Sequence, residues 1–265
     1  MKRIILTILL STTFAFSFDF GSLLKDTVSS ISNSESSTKS TTNQLSNSTI
    51  SSGLKEALKI GVNYGVKELG KKDGYLNNKD AKIPLPENLK TAETLIRKVG
   101  GEKIVNDLVL SMNKAATQAA PKTAQIFLNA VDKISIDDAK AILAGDNDAA
   151  TKYFEKHTLK DLKNLIKPII KKSMEDNKVA TYYDTFNSFY KSNVKSYVDN
   201  SSIMQMAKSY GADKFLPQNS DINLDDYVTK SAIDGLFKII AQKEQEIRKN
   251  PISQTTSLLK KVFGN

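Results

Sequence analysis

Between Gly100 and His157 the chain reads GGEKIVNDLVLSMNKAATQAAPKTAQIFLNAVDKISIDDAKAILAGDNDAATKYFEKH, and apolar residues recur there at three- and four-residue spacing almost without a break. That period belongs to helices. Ile104, Leu108, Met112, Ala115, Ala116 and Ala119 form one stripe, with Val105 and Val109 beside it, and a stripe of this kind has to be buried against a partner. Pro121 lacks the N–H that a continuing helix would use, so it either opens a new helix or kinks the old one. Ile126, Phe127, Ala130, Val131 and Ile134 make the next apolar face. Ser135 then offers a capping hydroxyl ahead of Asp137 and Asp138, Gly145 supplies a stop, and Asp146-Asn147-Asp148 starts another helix through Tyr153 and Phe154. Four successive helices are expected here. Pieces this short are unstable alone because helix nucleation is costly, so they must pack on helices from elsewhere in the chain.

The remainder supplies those partners. Ser52-Gly53 begins a face of Leu54, Ala57, Leu58, Val62, Val66 and Leu69, on which Gly61 and Gly65 would admit close approach of another backbone. Ile83-Pro84-Leu85-Pro86 is extended because each proline biases its predecessor away from helix; it either plugs an edge of the core or serves as a recognition strip. Leu89 to Val99 reads as a helix closed by Gly100-Gly101. Thr158 resembles a helix cap with Asp161 three residues on, and the stripe Leu162, Leu165, Ile166, Ile169, Ile170 and Met174 follows, with a kink expected at Pro168. Tyr182-Tyr183, Phe186, Phe189-Tyr190, Val194 and Tyr197 make an aromatic helix face. Gly211 to Asn223 is a polar break. Leu224 to Lys249 is the longest uninterrupted helical pattern, and Asn250-Pro251 provides a cap and first-turn proline for a last helix ending at Phe263-Gly264. No segment alternates convincingly with the period of a strand. The fold class expected is all-α, with nine to eleven helices in one compact multi-helix domain over residues 53–264; two helical subdomains meeting near Thr158 are the alternative division.

The N-terminal residues follow a different pattern. MKRIILTILLSTTFAFS has Lys2 and Arg3, an apolar run through Leu10 and small residues at Ala15 and Ser17, the layout of a signal peptide cleaved after Ser17. The run is too short for an ordinary membrane span, although an uncleaved anchor is the competing reading. No cysteine follows for a lipid anchor. Removal of Lys2 and Arg3 lowers the net charge from +9 to +7, and the exported product is expected in the periplasm. Residues 18–52 form a Ser/Thr-rich arm: from Ser29 to Ser52, 15 of 24 residues are Ser or Thr and three are aliphatic. Such a stretch cannot bury enough apolar surface to offset its ordering entropy, so it reads as a flexible linker, or as a tether that lets Phe18, Phe20, Leu23 and Leu24 dock.

Composition closes several routes to chemistry. Cysteine and tryptophan are absent and His157 is the only histidine, so thiol chemistry is excluded and a Ser-His-Asp relay would depend on one imidazole placed near a helix end. No set of metal ligands is visible, and Asp146-Asn147-Asp148 lacks the distal glutamate of a calcium loop. The acid pairs Asp137/Asp138 and Asp225/Asp226 sit at helix starts, where acids are stabilising anyway, and Glu244/Glu246 point in different directions. Neither a phosphate-binding loop nor a dinucleotide fingerprint is present. Lysine and glutamate are interspersed, with no basic stripe interleaved by aromatics, so nucleic acid is not an expected partner; peripheral membrane contact is compatible with the basic surface.

GLKEALKIGVNYGVKELG, then IPLP, then LSMNKAATQAAP with Ile126-Phe127 beyond it, then ISIDDAKAILAGDNDAATKYF, and last DDYVTKSAIDGLFKIIAQKEQEIRKNPISQTTSLLKKVFG together resemble the bacterial exported family termed domain of unknown function 4197. The likeness runs from about Gly53 to Gly264. It implies an exported helical protein of the Gram-negative envelope and carries over no activity, cofactor or catalytic residue. Members similar to this chain often have a lipoprotein cysteine after the signal, which this chain lacks. The reading that follows is a non-enzymatic protein binding an apolar ligand or an envelope protein, with an apolar cavity between the aromatic helix, through Tyr183, Phe186 and Tyr190, and the long C-terminal helix, through Phe237. An enzyme of another type, or an oligomeric assembly protein, is the alternative. Asp107, Asn113, Lys114, Asp234 and Arg248 interrupt or border apolar faces; they either converge on a cleft or form internal pairs, because a buried polar group needs a partner.

Overall fold

A computed structural model describes residues 45–194 and 223–264. The signal-peptide reading, most of the arm, Tyr197 and the polar break at 211–222 lie outside the described residues.

Helix α1 spans Asn47–Leu69. It starts earlier than Ser52, and residues 47–52 are its first turns rather than the end of the arm. Ser46 caps it by accepting from the Thr49 N–H at 3.1 Å, and Ile50 is buried, so a local cap and one apolar anchor suffice to order a polar sequence. Tyr75 sits in the single turn α2, Gly74–Asn77. A 3₁₀ turn, Glu87–Leu89, leads into α3, Lys90–Lys98. Helix α4 then runs unbroken from Glu102 to Lys133, through Pro121. Two helices were expected here. They merge because the buried positions Val105, Leu108, Met112, Ala115, Ala119, Thr123, Phe127 and Val131 keep one helical phase across the proline. A proline inside a helix costs roughly 3 kcal/mol, whereas each fully buried large apolar side chain returns about 1.5–3 kcal/mol; burial wins.

The same conflict recurs further on. After α5, Ala139–Ala144, closed by Gly145, helix α6 runs from Ala149 to Asp176 and passes both Thr158 and Pro168. Thr158 does not cap a new helix: its hydroxyl donates back to the Phe154 carbonyl at 2.6 Å. His157 therefore lies mid-helix, exposed, with its ring 4.2 Å from that of Tyr153, rather than at a helix end. Neither does Ser135 cap α5; its hydroxyl bonds Asp137 instead. Helix α7 spans Val179–Asn193 and α8 Leu224–Lys249, the latter with the expected bounds and with Asn223 accepting from the Asp226 N–H at 3.0 Å. Asn250 starts only a 3₁₀ turn, Pro251–Ser253, and Thr256 caps the separate α9, Ser257–Phe263. Among the described residues there are nine α-helices and no strand.

The four long helices form the frame. Around the ring α1 packs on α8, α8 on α6, α6 on α4 and α4 on α1, while diagonal pairs scarcely meet. Cross-contacts fix the directions. Gly61 faces Ile240 and Gly65 faces Leu236, Thr151 meets Glu244 while Lys167 meets Asp226, Phe127 meets Phe154, and Lys55 reaches the Asp132 carbonyl while Gly70 meets Pro121. Each neighbouring pair is therefore antiparallel, the up-and-down arrangement of a four-helix bundle. Gly61 and Gly65 make the expected close approach: a Cβ at Gly61 would lie 2.9 Å from Ile240 Cγ2, and one at Gly65 2.6 Å from Leu236 Cδ1. Phe127, Phe154 and Phe237 from three helices meet edge to face in the middle, with ring centroids 5.4–6.4 Å apart.

The Ile83–Pro86 strip lies along this frame as a plug. Ile83 and Leu85 are buried, and Tyr227 donates to the Pro84 carbonyl at 2.9 Å.

Candidate functional site

The polar residues singled out from sequence do not come together. Asn113, fully buried on α4, accepts from the Ile83 N–H at 2.9 Å and donates to the Ile83 and Val109 carbonyls at 2.8 Å each. Its amide thus imitates a strand neighbour for the extended strip. Asp107 pairs with Lys103 one turn away and Asp234 with Lys230, both at the surface, and Lys114 is exposed. These are single-turn ion pairs of the sort that contribute little.

Arg248 belongs to the one dense polar cluster buried among the described residues. Its partner Glu244 is fully buried, 2.8 Å away, and accepts from the Ala150 and Thr151 N–H groups and the Thr151 hydroxyl at 3.1, 2.8 and 2.6 Å. Arg248 in turn donates to the Leu143 and Ile142 carbonyls at 2.8 and 3.2 Å, with its guanidinium 5.4 Å from the centre of the Phe263 ring. A carboxylate thus sits on the N-terminus of α6 and a guanidinium on the C-terminus of α5, the two signs that helix dipoles favour at those ends. The donors and acceptors of the group are taken up internally. It clamps the α5–α6 turn onto α8, and Glu246, two residues from Glu244, is held instead by Ser253 and Lys243 at the surface, which lower its carboxyl below the usual range.

Aromatic candidates divide in the same way. Phe186 and Tyr190 are buried in the core and Phe237 packs in the central trio, so these three rings fill space among the described helices. The void between α4, α6 and α8 amounts to about 10 Å³, room for no more than a single water. Only Tyr183 borders real space. A cleft of about 550 Å³ opens where the end of α6, the start of α7 and the start of α8 meet. Met174, Val179, Leu224 and the Tyr183 ring form its apolar part; Lys171, Lys178, Glu175 and Asp225 surround it, and Ala180, Thr181 and Asn223 complete the wall. Lys178, with φ 54° in the left-handed region, turns the chain between α6 and α7 and so creates the corner. Sequence periodicity assigned Met174 to a core stripe and Leu224 to a helix start. Nothing in the order of residues says that two helix ends nearly fifty positions apart share a corner.

Among the described residues no group of three or more acidic or histidine side chains could hold a metal ion, and no helix is long and apolar enough to cross a membrane. The model of the family described as Protein of unknown function (DUF4197) matches residues 44–264, and the chain belongs to that family. No curated protein and no solved structure matches it.

Proposed function

We propose that this protein is an exported binding protein of the cell envelope, and that the α6–α7–α8 cleft takes an amphipathic ligand or the amphipathic tip of a partner. The observation that carries this reading is the contrast between a void of about 10 Å³ among the described core helices and a corner with about 550 Å³ of space, a size typical of ligand pockets. Buried Met174, Val179 and Leu224 offer an apolar body its contacts, while Lys171 and Lys178 stand ready for an anionic end. Export rests on Lys2 and Arg3 followed by the apolar run to Leu10. An enzyme draws no comparable support, because Asp107, Asn113, Lys114, Asp234 and Arg248 sit in separate places and four of the five are already paired.

The test is native mass spectrometry, after detergent-free purification of the exported chain, on wild type and on Ala180→Trp, which fills the cleft from an exposed position. A reproducible added mass in wild type that disappears in the variant is expected. A clean mass for both proteins, with no partner retained, would defeat the reading.

A further inference from the structure

In sequence the lysines of residues 149–176 look evenly mixed with acids, yet the helix sorts them. Lys156, Lys160, Lys163, Lys167 and Lys171 follow one another at spacings of four, three, four and four, which places all five on one stripe of α6, within about 80° of arc and roughly 22 Å of length. All are exposed or half-exposed. Acidic partners are at hand for other lysines: Lys152 has Asp146 and Asp148, and Lys172 has Asp176. On the stripe, only Lys167 is paired, with Asp226 of α8; Lys156, Lys160, Lys163 and Lys171 form no ion pair among the described residues. Asp161 on the same helix lies to one side of the row, Glu175 follows Lys171 one turn beyond the row's C-terminal end, and Glu155 lies toward α8, its carboxyl raised above the usual range by partial burial and by Asp234.

Like charges one turn apart repel, so four consecutive lysine steps work against the helix that carries them. A row of this kind gains from an anionic partner that is straight and flat. We propose that the lysine stripe of α6 is a docking face for a membrane leaflet carrying anionic phospholipid headgroups. A lipid leaflet fits better than nucleic acid for two reasons on this surface. The stripe has no arginine for bidentate phosphate or base recognition, and the rings beside it, Tyr153 and His157, pair with each other at its N-terminal end instead of alternating with the lysines for stacking. Lysine point charges along one helix face suit a plane of headgroups, where each contributes roughly a five-fold gain in affinity. The stripe ends at Lys171 on the rim of the cleft.

Co-sedimentation of the full exported chain with vesicles tests this. One set mixes phosphatidylglycerol with phosphatidylethanolamine, the other is phosphatidylcholine alone. The stripe variant is Lys156→Gln/Lys160→Gln/Lys163→Gln, which leaves the cleft rim intact. A control, Lys67→Gln/Lys72→Gln/Lys79→Gln, removes the same charge from unpaired lysines elsewhere. Expected are binding to the anionic vesicles only, weakening as salt rises, a loss of about a hundred-fold in the stripe variant and a much smaller loss in the control. The proposal is overturned if wild type ignores anionic vesicles, if both triple variants lose binding equally, or if wild type prefers a DNA duplex to the vesicles and the stripe variant loses that preference.

Discussion

Asn113 uses both ends of its amide on the backbone of a segment thirty residues away. Replacement by alanine leaves the Ile83 N–H and carbonyl buried without partners, each worth about 1–3 kcal/mol. Asn113→Ala is expected to lose about 2–4 kcal/mol in urea unfolding, far more than Asp107→Asn or Asp234→Asn, which only open surface pairs. Equal effects from all three would contradict the clip. The Glu244–Arg248 pair makes a sharper case, because the two side chains are 0 % and 7 % exposed. Removing one charge strands the other, so Glu244→Ala should cost about 3–5 kcal/mol. The double variant Glu244→Met/Arg248→Met removes both charges together and should come back to within about 1–2 kcal/mol of wild type, the remainder being the uncapped start of α6. A double variant as unstable as the worse single would rule out that account.

Whole elements were legible in the sequence where local signals and tertiary packing agree. Asn223, the unbroken stripe from Leu224 and the stop at Asn250 fixed the bounds of α8, and Gly61 with Gly65 marked a close helix contact that α8 fills. Punctuation misled where packing opposed it. Thr158 read as a helix start, Pro121 as a start or a kink and Pro168 as a kink within one helix, yet α4 and α6 run through all three, since each must span the bundle to bury its stripe along two neighbours. Thr158 distinguishes the two situations experimentally. As an N-cap its loss would cost about 1 kcal/mol. Within a helix, bonding back to Phe154, it strains the turn slightly and has poorer propensity than alanine. Thr158→Ala is therefore expected to leave the melting temperature unchanged or a little higher, and a drop of several degrees would restore the capping role. The candidate site was less legible than the elements, because Met174, Lys178 and Leu224 acquire their shared space only when α6, α7 and α8 meet.

At the scale of the molecule, the continuity of α6 decides how the chain unfolds. Two subdomains meeting near Thr158 would need a plane there that few contacts cross, but α6 passes straight through it and packs on α4 along one side and α8 along the other. Links far apart in sequence tie the same frame. Tyr75 donates to the Ala232 carbonyl at 2.8 Å, Tyr227 reaches Pro84, and Glu244 holds Thr151. The buried side chains from Ile50 to Phe263 form one contiguous cluster, so no group of helices can leave without exposing the faces of those that stay. Burial also raises the Tyr75 hydroxyl well above its usual range, which keeps it neutral and its bond to Ala232 intact throughout the ordinary pH window. The helical domain should therefore unfold in urea as one transition, with far-UV circular dichroism and tyrosine fluorescence tracing the same curve. Tyrosines stand on α1, α2, α6, α7 and α8, so the fluorescence reports on most of the frame without an added probe. Two separated midpoints, one for residues before Thr158 and one for those after, would show that the helix which joins the halves does not bind them into one unit.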